Sequence, residues 1–327
     1  MKKVKWGILS AANIAFEQMV PALRRSKNSE IVAIASKTRE KAERFNIEKI
    51  YATYEELLED ANVEVVYIPL PNALHKEWII KAAQAGKHVI VEKPAVLTSK
   101  DMDDILEVLQ QTKTIFIEGF MYQYHKQHRE VKRLLKEGCI GEITHIKTHF
   151  SFLLQNREDI RMNKALGGGA FWDVGCYGLH AVTQLLDFKP AHYKMIAKVD
   201  EDKNVDLTST CLLLDAQGRT AEVSASFEMP FENRYEIFGT KGTIVAQYAF
   251  RPDVSETGEA IVKVLNRDGH EQSRKTLKDD QYVNQVEYLN DCILNNIQPE
   301  YDAEKTKEMI ALIESCYDSM YNLTQDD

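Results

Sequence analysis

Residues 4–15 read Val4-Lys5-Trp6-Gly7-Ile8-Leu9-Ser10-Ala11-Ala12-Asn13-Ile14-Ala15. An apolar run ends in small residues, and a helical pattern follows with Ile14, Val20 and Leu23 on its inner side. The reading is a buried strand, a tight turn and a helix. The same unit recurs downstream. Ile31 to Ala35 and Val63 to Leu70 are apolar runs, and Val89 to Val91 and Thr114 to Ile117 are further strands. Between them, Thr38 is placed to cap a helix from Arg39 to Phe45, and Thr53 with Glu56 has capping-box spacing. A helix from Ala73 to Ala85 stops at Gly86, and Thr98 or Ser99 caps another. Strands that are apolar on both faces and alternate with helices specify a parallel sheet covered on both sides.

Such a sheet binds ligands outside the carboxyl ends of its strands, so the residues after each strand carry the information. After the first strand, the dinucleotide frame G-x-G-x-x-G/A falls on Ser10, Ala12 and Ala15, with both leading glycines replaced. Ala12 is small enough for a diphosphate to approach, whereas Ser10 stands where a permissive backbone is wanted. An ordinary strand-to-helix turn reads equally well, and in either case the amides around Asn13 and Ile14 form an anion site. After the second strand comes Ser36-Lys37-Thr38-Arg39. An NAD pocket usually has a carboxylate here for the ribose 2′-hydroxyl; two hydroxyls and two cations suit a 2′-phosphate, which favours NADP. Pro69-Leu70-Pro71-Asn72 stiffens the chain as it leaves the sheet; Asn72 caps the next helix or binds a ribose, and His75 lies near the same edge. In Glu92-Lys93-Pro94, a lysine held by a following proline projects from a strand end, where burial lowers its pKa toward the range of an acid–base catalyst. A salt-bridged surface lysine is the plain alternative.

The pattern changes after Met121. Ile143 to Phe152, Thr208 to Leu214, Thr220 to Glu228, Arg234 to Phe238, Thr243 to Ala246 and Ile261 to Leu265 read as strands with short connections, hence a largely antiparallel open sheet. Two helices follow, with apolar stripes Tyr282, Val286, Leu289, Ile293 and Met309, Ile310, Ile313, Cys316, Tyr317, Met320. The domains expected are 1–120 and 121–327. In the middle lies Gly167-Gly168-Gly169-Ala170-Phe171-Trp172-Asp173-Val174-Gly175-Cys176-Tyr177-Gly178-Leu179-His180. Asp173 and Tyr177 share a helix face at i and i+4. With a lysine they would make an acid–base constellation; alone they read as a helix-start carboxylate and a core phenol. Arg157, Arg161 and Lys164 form either a substrate-phosphate site or a solvated loop.

The chain has 327 residues and a net charge of −9, which speaks against a nucleic-acid or anionic-membrane partner. Cys139, Cys176, Cys211, Cys292 and Cys316 are scattered, as in a reduced cytoplasmic protein. No apolar run is long enough to cross a bilayer. The histidine pairs His125/His128 and His145/His149 lack further ligands at metal spacing, so no metal is expected.

Taken together, Trp6-Gly7-Ile8-Leu9 with its turn, Pro71-Asn72 through His75, Glu92-Lys93-Pro94, Glu118-Gly119-Phe120-Met121-Tyr122 and Gly167 to Tyr177 resemble the Gfo/Idh/MocA family of NAD(P)-dependent oxidoreductases. The resemblance spans the chain and lies nearest the dihydrodiol dehydrogenase, aldose dehydrogenase and glucose–fructose oxidoreductase branch. It implies a doubly wound α/β Rossmann domain followed by an α+β domain with a large open sheet that mediates homodimers or homotetramers. It implies Lys93 as the proton-transferring residue, assisted by Tyr177, with Asp173 orienting the substrate hydroxyl and tuning the lysine's charge state. It also implies a cis Lys93–Pro94 bond. The cofactor residues are then Ser10, Ala12, Asn13, Ile14, Ser36, Lys37, Arg39, Pro69, Leu70, Asn72, His75, Glu92 and Lys93. Tyr122, Trp172, Asp173 and Tyr177 face a polyol, sugar or diol. The branch often has an arginine and a proline where this chain has Gln123 and Lys126, which leaves the substrate open. Retention of Lys93, Asp173 and Tyr177 together favours catalysis over a nucleotide-sensing regulator on the same fold. Phosphorylated or amino sugars are the alternative substrates.

Overall fold

A computed structural model describes residues 2–322. Met1 and 323–327, which the sequence reading assigns to the ends of the two domains, lie outside them. The described chain divides into two compact units, one formed by 2–121 with 280–311, the other by 122–279 with 312–322.

The first unit holds six parallel strands: β1 (Val4–Leu9), β2 (Ser29–Ala35), β3 (Ile50–Tyr51), β4 (Val65–Ile68), β5 (His88–Val91) and β6 (Phe116–Glu118). Their order is β3-β2-β1-β4-β5-β6, the doubly wound arrangement in which chain direction across the sheet reverses between β1 and β4. Every residue of β4 is buried, as strands covered on both faces require. The local signals act as read. Thr53 and Glu56 form a complete capping box, Thr98 accepts from the Asp101 amide, and Gly86 takes φ 72° after its helix. Thr38 stands at the N-cap of Arg39–Glu43 but makes no side-chain capping bond; Ser36 Oγ instead accepts from the Thr38 amide at 3.1 Å.

The sequence reading divides the chain once, near residue 120; the first unit also takes in a later stretch. Helix Gln281–Asn295 lays Val286, Leu289 and Cys292 into the core built on Trp6, Ile8 and Ile34. Asn290 fixes it there, accepting from the Trp6 indole (3.0 Å) and donating to Asn28 Oδ1 and Ser29 Oγ (both 2.8 Å). Periodicity showed the helix's apolar stripe but not the surface that would cover it.

The second unit is built on a nine-stranded sheet: β7 (Ile143–Ser151), β8 (Pro190–Asp200), β9 (Val205–Asp215), β10 (Thr220–Ser226), β11 (Glu232–Gly239), β12 (Gly242–Gln247), β13 (Glu259–Asn266), β14 (Glu271–Lys278) and β15 (Tyr321–Asn322). The order is β14-β13-β12-β11-β7-β10-β9-β8-β15, antiparallel except where β7 meets β10 and β8 meets β15. Strands β8, β14 and β15 went unread, as did β3 in the first unit. In β14 only Leu277 is buried, so this edge strand has no apolar face to betray it. A helix over 170–185 lies against the inner face of the sheet. It passes so close that a Cβ on Gly178 would stand 2.3 Å from Thr148 Oγ1 and 3.0 Å from Val223 Cγ1.

Among the described residues, no helix is long and apolar enough to cross a membrane.

Candidate functional site

In the first unit, the turn after β1 leads into a helix over 13–25 that contains one π-helical turn, Ala15–Met19. Ser10 takes φ 116° while its amide donates to Ala35 O at 3.0 Å. That torsion belongs to the region a first-position glycine would occupy at no cost. The leading amides of the helix lack intrahelical acceptors and point toward the sheet's carboxyl edge. Across this turn lies Arg44, which sequence reasoning missed. Its guanidinium donates to Asn13 Oδ1 at 2.9 Å and sits 4.5 Å over the Phe16 ring. At the end of β2, Ser36 is buried, Lys37 and Arg39 are exposed, and Arg39 pairs with Glu43 at 3.1 Å. Small residues at the turn, orienting amides, a strand-end hydroxyl and nearby cations fit a dinucleotide with an extra phosphate.

Further along the same edge, Pro71 occupies the N-cap of helix Asn72–Gln84, with Asn72 at its first helical position. His75 is fully buried rather than open to a ligand. Its Nδ1 lies 2.9 Å from Pro94 O and its Nε2 2.7 Å from Leu70 O. Burial pushes the imidazole pKa down, while the two carbonyls pull it back up. The ring therefore lies between the loop after β4 and the loop after β5, within hydrogen-bond distance of a carbonyl on each. The Lys93–Pro94 bond is cis. Tyr67 donates to Glu92 Oε1 at 2.5 Å, and the Ala95 amide donates to Glu118 Oε1 at 2.8 Å. Lys93 thus stands in a corner braced from three sides, by Tyr67, His75 and Glu118. Of these, the sequence reading gave no role to Tyr67 or Glu118. A charged residue closing the apolar strand Phe116–Glu118 was the available signal.

In the second unit, three glycines set up the helix over 170–185. A Cβ on Gly168 would stand 2.5 Å from Arg161 O, and Gly169 takes φ 119° with Asp206 Oδ1 only 2.2 Å from where a Cβ would be. Asp206 is buried and accepts from the Phe171 amide, Ser209 and Tyr317 at 2.8, 2.5 and 2.6 Å. Asp173 lies in the π-helical turn Phe171–Gly175, and Tyr177 follows in the next turn; such turns recur at functional sites. Arg161 Nε donates to Asp173 Oδ2 at 2.7 Å, and the Asp173 charge holds the guanidinium pKa up. Arg157 pairs with Asp200, so these two arginines already have carboxylates and do not form an open phosphate cradle. Trp172 stacks on Tyr317 with ring centroids 6.1 Å apart.

Tyr122, expected to face substrate, is instead enclosed. Its hydroxyl meets His180 Nδ1 at 2.6 Å, and its ring packs against His128, Tyr177 and Phe250. Burial pushes the His180 pKa down to about 3, so the ring is neutral. Tyr122 and His180 therefore support Tyr177 from behind. His128 likewise spends its ring nitrogens on the Tyr235 hydroxyl and Ala249 O.

Comparison with known proteins agrees with this geometry. Residues 4–120 match the model described as the oxidoreductase family, NAD-binding Rossmann fold, and residues 128–245 match the GFO/IDH/MocA C-terminal domain. The chain is 30% identical to a dTDP-3,4-didehydro-2,6-dideoxy-alpha-D-glucose 3-reductase of Actinomadura kijaniata, over 95% of this chain and 94% of that one. It is also 30% identical to a D-xylose 1-dehydrogenase (NADP(+)) of Haloferax volcanii, over 96% of each. A 3-ketoreductase from Actinomadura kijaniata, solved with NADP and TDP-benzene, superposes with a TM-score of 0.90 at 30% identity, covering 98% of this chain and 99% of that one. The chain belongs to the Gfo/Idh/MocA family of NAD(P)-dependent oxidoreductases.

Proposed function

We propose that the protein is an NADP-preferring dehydrogenase or reductase acting at a secondary alcohol or ketone, or a hemiacetal carbon, of a sugar or cyclic diol. The observation that carries this reading is Lys93, standing at the carboxyl edge of the parallel sheet in its braced corner. When bound, the dinucleotide supplies or accepts the hydride equivalent at its nicotinamide ring. Lys93 gives a proton to the substrate oxygen in reduction and takes it back in oxidation. The Tyr177 hydroxyl assists that transfer. Asp173, its carboxylate steadied by Arg161, accepts from a substrate hydroxyl and fixes which carbon reacts. The cofactor preference follows from Ser36, Lys37 and Arg39, with no carboxylate at the end of β2. The relatives that act on sugars support that substrate class. The outer face of the second sheet, which exposes Ile196, Leu212 and Leu214, is the surface we assign to a homo-oligomer contact.

Lys93→Met is expected to lower turnover by about 10²-fold or more while NADPH binding, followed by fluorescence titration, persists. Undiminished turnover would remove Lys93 from the chemistry. A screen of NADP⁺ and NAD⁺ across aldoses, inositols, sugar phosphates and trans-diols identifies the substrate. Tight nucleotide binding with no turnover anywhere in that panel would instead indicate a regulator.

A further inference from the structure

Beside Lys93 lies a buried ionisable group to which the chemistry above gives no task. Glu118 ends β6, is paired in register with Val91 of β5, and is 1% exposed. Its Oε1 accepts from the Ala95 amide at 2.8 Å and its Oε2 from the Tyr301 hydroxyl at 3.0 Å. The carboxyl therefore ties the Lys93 corner to the segment preceding helix Ala303–Asp318. The next residue brings the strand ends together. The Gly119 amide bonds Val91 O at 2.8 Å, and a Cβ on Gly119 would stand 3.0 Å from that same oxygen. Phe120 then packs edge-on against Tyr301.

A clamp made of the Ala95 amide and the Tyr301 and Thr306 hydroxyls does not by itself need a carboxylate. A glutamine would accept from Ala95 and still meet the phenol, without the cost of burying a charge. What a carboxylate adds is charge. Four titratable groups lie around it: Lys93 on the loop after β5, Glu92 at the end of that strand, the Tyr301 phenol, and the His75 ring beyond the Pro94 carbonyl. The cation among them is Lys93; His75 is pushed toward its neutral form by burial.

We propose that Glu118 is a positioning residue for Lys93, fixing the 93–95 corner through the Ala95 amide and holding the lysine as the ammonium that gives its proton to substrate oxygen. In that step one N–H bond of Lys93 breaks and an O–H bond forms, leaving a neutral amine that solvent reprotonates. The proposal rests on the proton-transfer role of Lys93. Burial pushes the Glu118 carboxyl up to about 7, against the pull of the Ala95 amide, the Tyr301 hydroxyl, the Lys93 ammonium and the Thr306 hydroxyl. Its charge therefore changes near neutral pH, where such coupling acts on a rate profile.

The test compares pH profiles of ketone reduction. E118Q keeps the shape and removes the charge. Its alkaline limb in kcat/KM is expected to move down by about one pH unit or more, with Tm and NADPH affinity unchanged. E118D, which keeps the charge, is expected to hold the limb near its original position even if kcat falls. A second readout needs no turnover. In K93M, the infrared band of a protonated carboxyl is expected to persist to higher pH than in wild type, and to vanish in the K93M/E118Q double variant. An inert K93M enzyme, together with an E118Q limb that stays in place, overturns this proposal and leaves the Lys93 reading standing; so does a carboxyl band indifferent to K93M. A K93M enzyme with normal turnover overturns the Lys93 reading instead, and the positioning role with it.

Discussion

At Ser10 the backbone takes φ 116° with a side chain present; at Gly169 it takes φ 119° with none. The torsions are nearly equal, and the surroundings are not. A Cβ at Gly169 would meet Asp206 Oδ1 at 2.2 Å, and Asp206 is the buried acceptor for Phe171, Ser209 and Tyr317. Ser10 keeps a partly exposed side chain on the open edge of the parallel sheet. At the first corner the strain is torsional alone. The second is closed by the protein itself, so strain and collision would fall together.

That contrast is open to experiment. The largest effect is expected at Gly169→Ala, which combines an unfavourable torsion with displacement of Asp206, and should destabilise the fold by about 3 kcal/mol or more. Denaturant unfolding measures this, and a loss below about 1 kcal/mol would show that Asp206 yields easily. Next in size, Ser36→Asp combined with Arg39→Ala should shift the ratio of NADPH to NADH affinity toward NADH by about tenfold, or about 1.4 kcal/mol. An unchanged ratio would move the phosphate contact off Ser36 and Arg39, to Lys37 or to Arg44, which donates to Asn13. The smallest effect is at Ser10→Gly, which should raise stability by about 1 kcal/mol as the torsion relaxes, without weakening NADPH binding. A destabilised variant would mean that the serine side chain contributes more than its torsion costs.

Much of this was legible in the residues. Strand–helix alternation gave the parallel sheet, while the π-helical turn that carries Asp173 left no mark in the i, i+4 spacing to Tyr177. Thr53 with Glu56, and Gly86, marked real helix ends. What failed to show has physical causes. Periodicity reveals that a face is buried but not what buries it, so helix Gln281–Asn295 was left with the wrong neighbours in view. A polar edge strand such as β14 has no pattern to read. A residue type fixes chemistry but not access. His75 and Tyr122 carry the right groups for a site, yet the structure spends them on Leu70 and Pro94 carbonyls and on His180. Arg161 and Glu118, by contrast, matter through the side chains they hold, a relation that only three dimensions disclose.

The bond between the Trp6 indole and Asn290 joins residues 284 positions apart. During synthesis the first strand leaves the ribosome long before its covering helix exists. At about 5–20 residues per second, Trp6 waits on the order of 15–60 s for Asn290. Over that interval the apolar surface around Trp6 that helix Gln281–Asn295 covers has no partner from that helix. A ribosome stalled before residue 280 would therefore carry a dinucleotide-binding sheet that is fully translated but not yet able to close its own core.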